Sequence, residues 1–182
     1  RSPADGSGLI LLFLMRDSMR KTLAAALILL GLPASAQDAS YDPAILPACL
    51  EAQKDQPDSC IGKASDKCQQ GDDGGTTVGM GSCLRGELDQ WDGLLNAAYD
   101  AVLVQSEAVD AEMKELGSAA APQAPALHEM RRAWIAFRDA ACNYEASRWG
   151  GGSGAGPAAT ACAMELTARQ AIRLRAYADE QR

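Results

Sequence analysis

The sequence predicts an all-α fold: a small, disulfide-stabilised antiparallel helical bundle with three main helices and a loop-rich N-terminal segment. Three observations carry this. Apolar residues recur at three- and four-residue steps in two long segments. A third segment is rich in strong helix formers. No stretch of useful length alternates apolar and polar residues as a half-buried strand would.

Residues 37–82 are punctuated by proline and glycine, with a short apolar stretch at Ile45 to Leu50 and a loop at Gly71-Asp72-Asp73-Gly74-Gly75. They read as one short helix and turns held by disulfides. From Cys83 the positions Leu84, Leu88, Trp91, Leu95, Ala98 and Val102 fall on one helix face. After a breaker segment at Ala119 to Pro125, Leu127, Met130, Trp134, Phe137, Ala141 and Tyr144 repeat the pattern. The run Gly150-Gly151-Gly152-Ser153-Gly154-Ala155-Gly156-Pro157 ends that helix, since glycine caps and proline forbids continuation. The last helix spans 158–180, with Cys162, Leu166 and Leu174 available to a core. Helices joined by short loops pack antiparallel.

The N-terminus reads as an address. Met19-Arg20-Lys21 precedes an apolar run from Leu23 to Leu32, and Pro33-Ala34-Ser35-Ala36 offers a small-x-small site before Gln37. These are the parts of a secretory signal peptide, expected over 19–36, and the run is too short to span a bilayer. Residues 1–18 begin with Arg1 and are expected to be an upstream extension. The product is expected to be periplasmic or secreted and soluble after signal cleavage.

The 182 residues include 24 acidic and 17 basic side chains. From residue 37 onward the count is 22 acidic to 13 basic, a net charge of −9. That acidity argues against a nucleic-acid ligand, which demands a basic face, and favours a basic protein partner. The charge is uneven: residues 37–118 hold 16 acidic and 5 basic groups, and residues 119–182 hold 6 and 8.

All six cysteines, Cys49, Cys60, Cys68, Cys83, Cys142 and Cys162, follow the expected cleavage site. An exported chain with an even count implies disulfides. Cys142 with Cys162 would close the glycine-rich loop, and the other four would pair among themselves. No Cys-x-x-Cys occurs and there is one histidine, so neither a metal nor another cofactor is expected.

Catalytic patterns fail in turn. His128-Glu129 would need a second histidine at 132 to be a zincin, and Arg132 stands there. Asp72-Asp73-Gly74-Gly75 lacks the alternating acids of a calcium loop and reads as a turn. Arg131, Arg132, Arg138 and Arg148 form a basic stripe expected to pair with the acidic first half. Trp91, Trp134 and Phe137 are expected in the core. Trp149, at a helix end beside glycines, is the candidate binding residue, together with Gly151, Gly152, Ser153 and Gly154 as a protruding loop.

Four fragments in order then resemble a known family: Asp92-x-x-Leu95-Asn96-x-x-Tyr99 after Cys83, Trp134-Ile135-x-Phe137-Arg138-Asp139-x-x-Cys142, Gly151-Gly152-Ser153, and Cys162-x-x-x-Leu166-Thr167. Together they resemble the LprI-type lysozyme-inhibitor domain, over roughly Cys60 to Leu174. The chain departs from the family pattern at Arg131, where glutamine is common, and at Arg169-Gln170 near the final Leu-Thr. The resemblance implies a helical, disulfide-bonded domain, assigned to 83–182 with its start reaching back to near residue 60, an extracytoplasmic location and inhibition of lysozyme. Two functions follow as expectations: a non-enzymatic inhibitor that blocks a basic lysozyme through an acidic surface or loop, or a non-catalytic periplasmic interaction module with another envelope partner.

Overall fold

A computed structural model describes residues 40–180. The described residues belong to one unit, residues 37–182. The expected extension at 1–18 and signal peptide at 19–36 lie outside the described residues.

All regular structure among the described residues is helical. In chain order the elements are α1 (Ile45–Ala52), a single 3₁₀ turn (Pro57–Cys60), α2 (Lys63–Gln69), α3 (Thr77–Glu115), α4 (Gln123–Ser147) and α5 (Ala155–Glu180). The N-terminal segment thus holds two short helices, where one was expected. α3 also begins before Cys83, because Thr76 caps it: its hydroxyl accepts from the Gly79 N–H at 2.9 Å and donates to the Asp73 carbonyl at 2.9 Å. That cap satisfies one of the donors that a helix start leaves open.

The core is built on the α3 stripe. Leu84, Leu88, Trp91, Leu95, Tyr99 and Val102 are buried, and α5 covers them with Ala168, Ala171, Leu174 and Ala178. The alanines let the two helix axes approach closely, and this is the most extensive helix pairing in the unit. Both helices run the same way, since Met164 Sδ meets Ser65 Oγ near the start of α3 and Gln105 Nε2 donates to the Ala178 carbonyl near its end. α4 runs opposite to both: Asp110 meets Ala124 and Asn96 meets Arg131 on one side, and Cys142 meets Cys162 on the other.

Disulfides tie the periphery to this frame. Cys49–Cys60 joins α1 to the 3₁₀ turn, Cys68–Cys83 joins α2 to α3, and Cys142–Cys162 joins α4 to α5. The closed loops span 11, 15 and 20 residues, and loops of that size stabilise a fold by about 3 kcal/mol each through the entropy removed from the unfolded chain.

Glu87 organises the same end of the molecule and went unnoticed in the sequence. Its fully buried carboxylate accepts from the Gly62 and Ser65 backbone N–H groups, both at 2.7 Å, and from Trp91 Nε1 at 3.0 Å. One charge therefore satisfies the N-terminal turn of α2 and the core indole together.

One core expectation is overturned. Phe137 and Tyr144 belong to the α4 stripe, yet they are 60% and 66% exposed. The buried arc of α4 is set by Ala124, Leu127 and Cys142. At about 100° per residue, Phe137 and Tyr144 sit roughly a quarter turn off that arc. Trp134 is only half-buried.

Candidate functional site

Two places where α4 meets its neighbours concentrate the distinctive side chains. The first is the seam with α3. Asp110 accepts from the Gln123 and Ala124 N–H groups at 2.6 and 2.9 Å and so caps α4 from across the helix junction. Further along, the Tyr99 hydroxyl and His128 Nδ1 lie 2.6 Å apart. The Arg131 guanidinium stands 4.4 Å over the Tyr99 ring, and its Nη2 donates to Asn96 Oδ1 at 3.3 Å. Arg138 covers the Trp134 ring at 5.1 Å. Cations held over aromatic faces in this way add about 0.5–2 kcal/mol each, depending on exposure.

Residues of two of the four family-like fragments meet here. Asp92, Asn96 and Tyr99 face Trp134 and Arg138 around a small cleft of about 80 Å³. Their packing reads as the joint that fixes α4 on α3. His128 spends its Nδ1 on Tyr99, and among the described residues no group of three or more His, Cys, Asp or Glu side chains could hold a metal.

The second place is an open groove of about 710 Å³ between the C-terminal half of α4 and the start of α5. Phe137, Tyr144 and Trp149 line it, over a floor that includes Ala141, Ala161 and Cys162. Among the described residues these three are the only exposed aromatic side chains. Trp149, 53% exposed, is the one binding candidate that the sequence singled out within the groove lining.

The connection after Trp149 is a tight bend. Gly150 and Gly151 take φ values of 54° and 83°, the left-handed region that glycine occupies without penalty. This bend returns the chain, and the Gly152 N–H donates to the Trp149 carbonyl at 2.8 Å. Gly154 then comes to lie against the indole. A Cβ placed on Gly154 would collide with Cε3 and Cζ3 of Trp149. Glycine thus lets the indole seat here, where any side chain would displace it, and it leaves the rest of the ring to solvent. Gly151, Gly152 and Ser153 are exposed along the bend.

Phe137 and Tyr144 were missed as site residues because their spacing reads as core. Their position a quarter turn off the arc of Ala124, Leu127 and Cys142 is the sequence signal that separates them from it.

The basic stripe does not pair with the acidic first half as expected. Arg132 pairs with Glu129, Arg138 with Asp139 and Arg148 with Glu145, all within α4 or at its C-terminal cap. Arg131 spends its charge on Tyr99 and Asn96. Carboxylates three positions back along the chain, or on the adjacent residue, take these guanidinium groups first. Of the described ion pairs, only Arg169–Asp58 joins the two halves.

Much of the acidic charge consequently stays on the surface. Asp89, Asp92, Asp100 and Glu107 are exposed, and none is in a described ion pair. Their spacing follows the helical repeat, so they form one face of α3, roughly 27 Å long at 1.5 Å per residue. Arg85 and Lys114, the basic residues of α3, stand near its two ends.

A model of the family described as Lysozyme inhibitor LprI matches residues 68–174. The chain is also similar to an uncharacterized protein of Rhizobium meliloti (strain 1021), 32% identical over 84 residues, which is 46% of this chain and 60% of that protein. The chain therefore matches less than two thirds of that relative's length. No solved structure is significantly similar to the chain. No helix among the described residues is long and apolar enough to cross a membrane.

Proposed function

Because the chain belongs to the LprI lysozyme-inhibitor family, we propose that it is an exported, non-catalytic inhibitor that binds a basic lysozyme through the acidic face of α3. The family match over residues 68–174 is the observation that carries this reading. Export is supported by the leader-like sequence at 19–36 and by three disulfides. The exposed carboxylates of Asp89, Asp92, Asp100 and Glu107 would steer a positively charged partner and raise its rate of encounter. Inhibition then follows from covering the enzyme's glycan cleft, with no bond made or broken by the inhibitor.

The test is a lysozyme turbidity assay with the oxidised protein and a variant carrying Asp89→Asn, Asp92→Asn, Asp100→Asn and Glu107→Gln. The reading expects the wild type to inhibit stoichiometrically and the variant to inhibit at least about tenfold more weakly, a loss near 1.4 kcal/mol. Equal inhibition by both proteins rejects the acidic face. Absence of inhibition by folded wild type, with a single different envelope protein captured in a stoichiometric complex, favours the alternative of a periplasmic interaction module.

A further inference from the structure

The groove between α4 and α5 has a different chemistry from the acidic face. We propose that it is a binding site for an uncharged pyranose oligosaccharide.

Aromatic placement is the first support. All exposed aromatic side chains among the described residues, Phe137, Tyr144 and Trp149, line this one groove. The other large exposed apolar side chains, among them Val78, Val104 and Leu116, stand outside its lining. The C–H-rich face of a pyranose ring carries weakly positive hydrogens, and these are drawn to the negative face of an aromatic ring. Phe137 and Tyr144 stand seven residues apart, roughly 10 Å along α4 at 1.5 Å per residue, and Trp149 extends the platform just past the helix end. That is long enough for more than one sugar in a row.

Charge is the second support, and it discriminates between occupants. The ionic groups at the groove are compensated: Glu145 pairs with Arg148 at 2.9 Å, and Glu165 with Arg169 at 2.9 Å. Such pairs offer donors and acceptors to hydroxyl groups but little net charge. A basic protein would be drawn to the exposed carboxylates of α3 instead. A neutral polyol is the ligand that loses nothing by avoiding them.

Rigidity is the third. The Cys142–Cys162 disulfide staples the two walls, and Gly154 seats the indole of Trp149. A platform fixed before binding loses less entropy on complex formation. The alanine floor is shallow, which suits flat rings lying along a trough better than a single side chain inserted into a deep hole.

Isothermal titration of the full oxidised chain with cellotetraose, chitotetraose and maltotetraose tests the proposal. Saturable binding of at least one of them is expected, unchanged between about 0.05 and 0.5 M salt because no charge is being matched. Tyr144→Ala, at a side chain too exposed to matter for folding, is expected to weaken that binding at least about tenfold. Gly154→Ala is expected to weaken it as well by unseating Trp149, with the melting temperature checking each fold. Inhibition of lysozyme by Tyr144→Ala is expected to stay at the wild-type level, so the two sites fail independently. The proposal is overturned if none of the three sugars binds, or if binding ignores Tyr144→Ala. It is equally overturned if the groove variants abolish lysozyme inhibition while no sugar binds, which would give the groove to a protein.

Discussion

In its first half α4 lays Leu127 into the core and ties His128 and Arg131 to Tyr99 of α3, whereas in its second half the same apolar stripe carries Phe137 and Tyr144 out to solvent. The periodicity is identical in both halves. What differs is the angle, which by Phe137 has drifted about a quarter turn from the buried arc, and the neighbour. Around Leu127 the groove formed by α3 and α5 is deep enough to cover a side chain, and beyond Arg138 the residues that face α4 across the open groove all come from α5. An apolar stripe thus fixes which face of a helix seeks cover, and the third helix decides whether cover is there.

The closed side should break hardest at Glu87. Replacing it with alanine strands the Gly62, Ser65 and Trp91 donors in a buried place, and we expect a loss of about 3–5 kcal/mol in urea unfolding. A loss under about 1 kcal/mol would mean that water reaches those donors.

The comparison between the halves is sharpened by a matched pair. Leu127→Ala is expected to cost about 2–5 kcal/mol by leaving a cavity. Phe137→Ala, on the same stripe, is expected to stay within about 0.5 kcal/mol, as exposed substitutions do. Similar losses for both, measured by the same unfolding curves, would show that the groove is closed in solution. Asp110→Ala is a smaller probe of the closed side: it removes the cap on α4 and should cost about 1 kcal/mol.

The smallest effect is a pH dependence. Tyr41 donates to Gln90 Oε1 and lies against α3. Burial foremost, then the charges of Glu87, Asp42 and Asp89, pushes its pKa up from 10.0 to about 12. The folded state therefore holds this proton more tightly than the unfolded chain does. Its contribution to stability is complete below about pH 10 and is lost as pH rises from about 10 through about 12. An ultraviolet titration should show a phenolate that forms near the top of that window and disappears in Tyr41→Phe. No such late step would place Tyr41 in solvent.

Much of this molecule was readable before any coordinates. The α3 stripe from Leu84 to Val102 sits in or against the core, because a helix flanked on two sides has to bury a regular face. The bend after Trp149 was equally legible, since consecutive glycines admit the left-handed backbone that it adopts. Illegible were the partnerships made across the fold. Glu87 lies 25 residues from Gly62, and nothing local marks it as a buried cap. Arg131 reads as one member of a charged stripe until Tyr99 lies beneath it. Phe137 and Tyr144 were misread for the same reason, because exposure depends on a neighbour that periodicity does not contain.

The central claim, that this chain meets a basic enzyme through the exposed carboxylates of α3, is tested most directly by titrating the oxidised protein into c-type, g-type and invertebrate-type lysozymes at low and moderate salt. The account predicts stoichiometric inhibition of at least one class, weakening as salt screens the acidic face. Inhibition that ignores salt, or none by protein shown to be folded, would contradict it.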